Sequence, residues 1–136
     1  MLRRFVDTNI WVYPFDRGEP GKSEQAERAL ATAGSDLVIS TQVMLEFYVV
    51  VTRKLNPPLS NEAATEALTR LSELPVVATD AQLVQRAAAT SQDHQLSMWD
   101  AMIVEAAFEA GCDQIWTEDL ANGSMIRGIE IVNPLI

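Results

Sequence analysis

The chain has one cysteine, Cys112, and one histidine, His94. A lone thiol closes no intramolecular disulfide, which suits a reducing compartment, and a soft-metal site built from several Cys or His side chains is disfavoured. No apolar run approaches the length of a membrane span, and the first strand opens without the apolar stretch of a secretory signal, so the expected setting is the cytoplasm with no membrane partner. Basic residues are scarce too: ten Lys and Arg stand against nineteen Asp and Glu, for a formal charge of −9. That argues against a protein that grips nucleic acid through a broad basic surface. The deficit is uneven. Up to Lys54, seven basic and seven acidic residues cancel, whereas from Leu55 onward three basic residues face twelve acidic ones. Any phosphate-facing surface is therefore expected from the first half, and the acidic excess of the second is mostly a solvated exterior.

What is present describes an ordinary globular chain, 48% hydrophobic over 136 residues. Residues 1–136 fit a single domain able to bury about two-thirds of its unfolded surface. Short apolar segments at 4–6, 36–39, 75–78, 114–116 and 128–132 read as strands. Helical periodicity covers 10–15, 23–33, 41–54, 61–73, 81–94 and 98–110. This alternation predicts a three-layer α/β/α sandwich on a central, mainly parallel sheet. Ser60 and Asp80 read as N-caps, and Gly34 and Gly111 as C-terminal stops.

The carboxylates that matter are those on apolar faces or at strand ends. Asp7 ends the first strand and precedes Thr8 and Asn9; a functional acid at the strand end and a helix cap are both open there. Glu46 shares a helical face with Val43, Val49 and Val50, so it is either aimed toward the core or partly exposed at the edge of that helix. Asp100 lines up with Ile103, Val104 and Ala107, although Ser97 to Asp100 also fits a capping box. Glu105 and Glu109 form an i, i+4 pair expected on the exposed far side. Asp119 follows the strand at 114–116 and repeats the logic of Asp7, while its neighbour Glu118 is expected to face outward. An unpaired buried carboxylate is costly or protonates, so Glu46 and Asp100 each need a cation, a hydrogen-bond donor or a metal nearby, and no Lys or Arg is placed to meet them both. Hard oxygen ligands without His or Cys select Mg²⁺ or Mn²⁺. Such a metal also makes an acidic cluster locally attractive to phosphate.

Other signals carry less. Gly21-Lys22-Ser23 lacks the glycine five positions earlier that a phosphate-binding loop needs, and reads as a turn into a helix. His94 suits a helix C-terminus, and Trp11, Trp99 and Trp116 suit core or interface packing.

Four motifs in order, Val6-Asp7-Thr8-Asn9-Ile10, Ser40-Thr41-Gln42-Val43-Met44-Leu45-Glu46-Phe47, Leu96-Ser97-Met98-Trp99-Asp100-Ala101-Met102-Ile103 and Trp116-Thr117-Glu118-Asp119-Leu120, with Asn133-Pro134 at the end, resemble the PIN-domain family. Within it the likeness is to the ribonuclease toxins of VapBC toxin–antitoxin systems. The resemblance implies a metal-dependent endoribonuclease in which Asp7, Glu46, Asp100 and Asp119 hold one or two Mg²⁺ or Mn²⁺ ions. A metal-activated water would attack phosphorus in line, leaving 5′-phosphate and 3′-hydroxyl ends. It further implies supporting roles for Thr8, Asn9, Ser97 and Thr117, a homodimer, an RNA substrate, and an antitoxin whose tail blocks the groove with a basic residue. Two alternatives stand beside it. One is a haloacid-dehalogenase-type phosphatase with Asp7 as nucleophile, disfavoured because Asn9 stands where a second acid is needed. The other is a non-catalytic acidic groove that binds a basic peptide.

Overall fold

Successive residues of a strand point to opposite faces, and in the first strand, β1 (Arg4–Val6), both faces are apolar. In the computed structural model, which describes residues 2–34 and 36–136, Phe5 and Val6 enter separate cores on the two sides of one sheet. Phe5 joins Val38, Ile115 and Ile131 beneath the helices that follow the second strand. Val6 joins Leu37, Trp116 and Leu135 beneath Ile10 and Ala26. This two-sided burial produces the expected three layers.

The other strands are β2 (Leu37–Ser40), β3 (Val76–Val77), β4 (Gln114–Trp116), β5 (Met125–Ile126) and β6 (Ile129–Val132). Their order is β3-β2-β1-β4-β6-β5, and every pairing is parallel except β5 with β6. The chain moves outward from β1 through β2 to β3, then crosses back to place β4 on the other side of β1. That reversal opens a crevice at the carboxyl ends of β1 and β4, where open α/β sheets place their ligands. The backbone N–H of Asp7 donates to the Trp116 carbonyl there (2.9 Å).

The helices are α1 (Thr8–Val12), α2 (Pro20–Ala33), α3 (Thr41–Arg53), α4 (Asn61–Leu71), α5 (Ala81–His94) and α6 (Met98–Glu109), with a 3₁₀ turn at Tyr13–Phe15. Ser40, Ser60, Asp80 and Ser97 each accept an N–H of the following first turn, at 2.9–3.2 Å. Gly34 and Gly111 terminate helices with positive φ. The helix expected from Ser23 begins at Pro20, which needs no N–H in the first turn, so Gly21-Lys22-Ser23 is helix and not a turn.

Two expectations are corrected. Strand β5 has no counterpart among the segments read as strands, and Gly128 belongs to a turn and not to a strand. Met125 and Ile126 fold back on β6 through Arg127 and Gly128, both at positive φ (54° and 77°), the backbone of a tight two-residue hairpin. Glu105 is not at the surface: it is 1% exposed. Arg127 donates to it twice at 3.1 Å and the Thr90 hydroxyl donates at 2.7 Å, while Arg86 lies 3.7 Å away. Helix α6 is covered on all sides, with every residue from Ala101 to Ala107 buried, so it has no far side there. Glu109 remains half-exposed and pairs with Arg86.

Candidate functional site

Asp7 directly follows β1 and is the N-cap of α1, as its helix-cap reading expects. Its Oδ1 accepts the Thr8 N–H (2.7 Å) and its Oδ2 accepts the Thr117 hydroxyl (2.9 Å). The side chain is 9% exposed. Burial dominates its acidity, and with Asp119 and Glu46 nearby it outweighs those two hydrogen bonds, raising the Asp7 carboxyl to about 6.

Glu46 comes from α3 and is half-buried at the edge of the core face, which belongs to Val43, Phe47 and Val51. Val49, expected beside it in the core, is instead exposed. The Thr8 hydroxyl donates to Glu46 Oε2 (3.4 Å). Burial raises this carboxyl above its ordinary value; Gln42 and Thr8 lower it, and Asp100 and Asp119 add to the rise.

Asp100 stands in the first turn of α6, its N–H held by Ser97 Oγ (3.1 Å). Asp119 follows β4, and its N–H donates to Thr117 Oγ1 (3.1 Å). Thr117 therefore links Asp7 and Asp119 through one hydroxyl. Asp119 is also raised, first by burial and then by Asp100 and Glu118.

Asp7, Glu46, Asp100 and Asp119, brought by four different elements, line one cleft of about 330 Å³ together with Gln42, Trp99 and Ile103. No Lys or Arg is among its lining residues. Among the described residues no three His, Cys, Asp or Glu close tightly enough to enclose an ion. The arrangement is thus an open acidic cleft and not a preformed cage. Its donor set fits a hard divalent cation: all carboxylate oxygen, three members raised by burial, and no counter-charge.

Three residues are placed differently from their sequence reading. Glu118 does not face outward. It accepts from Asn9 Nδ2 (3.3 Å), from the Tyr13 hydroxyl and from Lys22 Nζ (3.3 Å), tying α1, the 3₁₀ turn and α2 to the segment beside Asp119. Asn9 consequently holds Glu118 and not one of the four cleft acids. Trp99 is not in the core but 64% exposed at the cleft. Gln42 was missed; its signal is a polar residue one turn before Glu46 in a helix whose inward face is otherwise apolar.

A comparison with proteins of curated function returned no match. Among solved structures, the chain is similar to the sarcin-ricin loop cleaving toxin VapC20 of Mycobacterium tuberculosis, at 23% identity and TM-score 0.70 over 85% of this chain and 89% of that one. It is also similar to a chain of a toxin–antitoxin complex from Klebsiella pneumoniae, at 21% identity and TM-score 0.72 over 96% and 97%. A DNA-bound VapBC from Salmonella typhimurium gives 21% identity and TM-score 0.67 over 96% and 97%. The PIN domain family model matches residues 4–121, a span that takes in all four cleft carboxylates. The chain belongs to the PIN domain family.

Proposed function

We propose that this chain is a Mg²⁺- or Mn²⁺-dependent endoribonuclease and the toxin of a toxin–antitoxin pair. The observation that carries the proposal is the convergence of four carboxylates, from four elements, on one cleft without a cation in its lining. Structural neighbours that include an RNA-cleaving toxin and toxin–antitoxin complexes support it.

In this reading Asp7, Glu46, Asp100 and Asp119 hold the metal. Once bound, it supplies Lewis acidity to the phosphodiester and to the attacking water. The chain's own part is orientation. The Thr8 N–H and Thr117 hydroxyl fix both oxygens of Asp7, the Thr8 hydroxyl holds Glu46, and Ser97 sets the turn that carries Asp100. Asn9 acts one step further out, through Glu118. Hydrolysis adds water across the P–O3′ bond and leaves 5′-phosphate and 3′-hydroxyl ends.

A cleft of this charge also suits a basic side chain offered by an antitoxin, and a homodimer is the expected assembly. No helix among the described residues is long and apolar enough to cross a membrane. Cytoplasmic action on RNA is consistent with that.

Purified protein should cleave RNA with Mg²⁺ or Mn²⁺ and stop when a chelator is added. Asp100→Asn should reduce cleavage at least a hundredfold, about 3 kcal/mol at the transition state, while the circular dichroism spectrum is retained. An unimpaired Asp100→Asn enzyme would remove that residue from the mechanism. The open geometry gives one observation to the alternative of a non-catalytic groove. Titration calorimetry with Mn²⁺ decides: no metal site, with binding of a basic peptide retained, favours the groove.

A further inference from the structure

Beyond its effect on the Glu46 carboxyl, one polar group in the cleft has no task in the reaction above. Gln42 is 6% exposed and sits one turn before Glu46. Its backbone N–H goes to Thr79 Oγ1 (3.3 Å) and its side-chain Nε2 donates to the Trp99 carbonyl (3.3 Å). Its Oε1 is buried and has no hydrogen-bond partner among the described residues. A carbonyl oxygen withdrawn from water without a donor is costly to keep unless something bound supplies one. The bond from Nε2 anchors the amide, and Gln42 is among the residues that line the cleft.

The residue that anchors this amide also carries an unexplained side chain. Trp99 is 64% exposed, whereas Ala101 and Val104 on the same helix are fully buried. An indole left in water at the mouth of a polar cleft is a stacking platform in search of a flat partner. Stacking on a ring and bonding to a neutral amide demand no basic surface. A chain with a charge of −9 could bind RNA bases in this way.

Building on the endoribonuclease reading, we propose that Gln42 and Trp99 form a nucleobase subsite beside the carboxylates. The Trp99 indole stacks on one unpaired base of the RNA, and Gln42 Oε1 accepts a hydrogen bond from an N–H on that base's edge. Stacking supplies affinity with little sequence preference, because every base has a π face. The single acceptor adds preference, because bases differ in where their donors lie.

The test uses the full chain, Mn²⁺ and single-stranded oligoribonucleotides, with Trp99→Ala, Trp99→Phe and Gln42→Met, the last keeping shape while removing the acceptor. Trp99→Ala should raise KM about tenfold and Trp99→Phe should recover most of it. Gln42→Met should flatten base preference at one nucleotide position. An abasic nucleotide at that same position should erase the difference between wild type and Trp99→Ala. A wild-type KM in Trp99→Ala overturns the stacking role. Base preference left intact in Gln42→Met overturns the subsite, whatever that variant does to Mn²⁺ binding through Glu46. If the wild type cleaves no RNA, the endoribonuclease reading fails by itself. Anisotropy of a labelled oligonucleotide then still tests the subsite, and equal binding by wild type and Trp99→Ala refutes it.

Discussion

Asp7 is held by two donors yet is a weaker acid than an ordinary aspartate, because burial beside Asp119 and Glu46 costs its anion more than Thr8 and Thr117 return. The sign of its effect on stability follows. With a carboxyl raised from 3.8 to about 6, the metal-free folded protein keeps a proton that the unfolded chain has already released. Its stability therefore falls as pH rises through that window, by about 3 kcal/mol once Asp7 is ionised. Asp7→Asn removes the charge and keeps an acceptor for the Thr8 N–H. The metal-free variant should be more stable than wild type at pH 7, by about 2 kcal/mol, with the gap closing toward pH 4. Urea denaturation at the two pH values measures it, and a variant no more stable at pH 7 would show that the charge is not costly. At this scale the four acids were legible because each sits at a strand end or among apolar helical neighbours. Glu118 was not, since its partners Asn9 and Lys22 lie 109 and 96 residues away. Gln42 shows in the sequence only as a polar residue one turn before Glu46, because an unmet oxygen leaves no trace in spacing.

Helix α6 shows where periodicity stops being informative. Between Met98 and Phe108 its only charged residues are Asp100 and Glu105, and a helix apolar nearly all round is buried on every side. An exposed Glu105 requires one face of α6 to be free, whereas α6 packs on both the sheet and α5. The same carboxylate anchors the β5–β6 hairpin through Arg127, whose guanidinium also lies 3.9 Å from the Phe108 ring. Arg127→Ala leaves Glu105 buried with only Thr90 and the more distant Arg86. It should cost about 3 kcal/mol, read as a lowered urea midpoint. Glycine at this position, free of the positive-φ strain that alanine keeps, should cost about 1 kcal/mol less. Equal losses in the two variants would remove the backbone from the account. The hairpin itself was hard to foresee because strands of two residues carry no alternation to count.

For the whole molecule the governing fact is charge placed without counter-charge. The second half carries the net −9 of the sequence, and part of that excess is turned inward, toward the cleft. Under the metal reading, millimolar Mg²⁺ should raise the melting temperature in a saturable way. At a hundredfold excess over Kd the gain is about 2.7 kcal/mol. Sodium chloride at matched ionic strength should not reproduce it, and an equal shift with either salt would mean that general screening is all the cleft needs. The layer order and the parallel sheet were legible from alternation alone, whereas the cleft's openness depends on where side chains come to rest.

The sheet closes on each flank with a strand of only two residues, β3 on one side and β5 on the other. A border that short offers a neighbouring chain almost no ladder of free amides and carbonyls to extend. Copies of this protein crowded together are thereby steered away from stacking edge to edge into fibrils, and any assembly they form must be built from side chains meeting side chains.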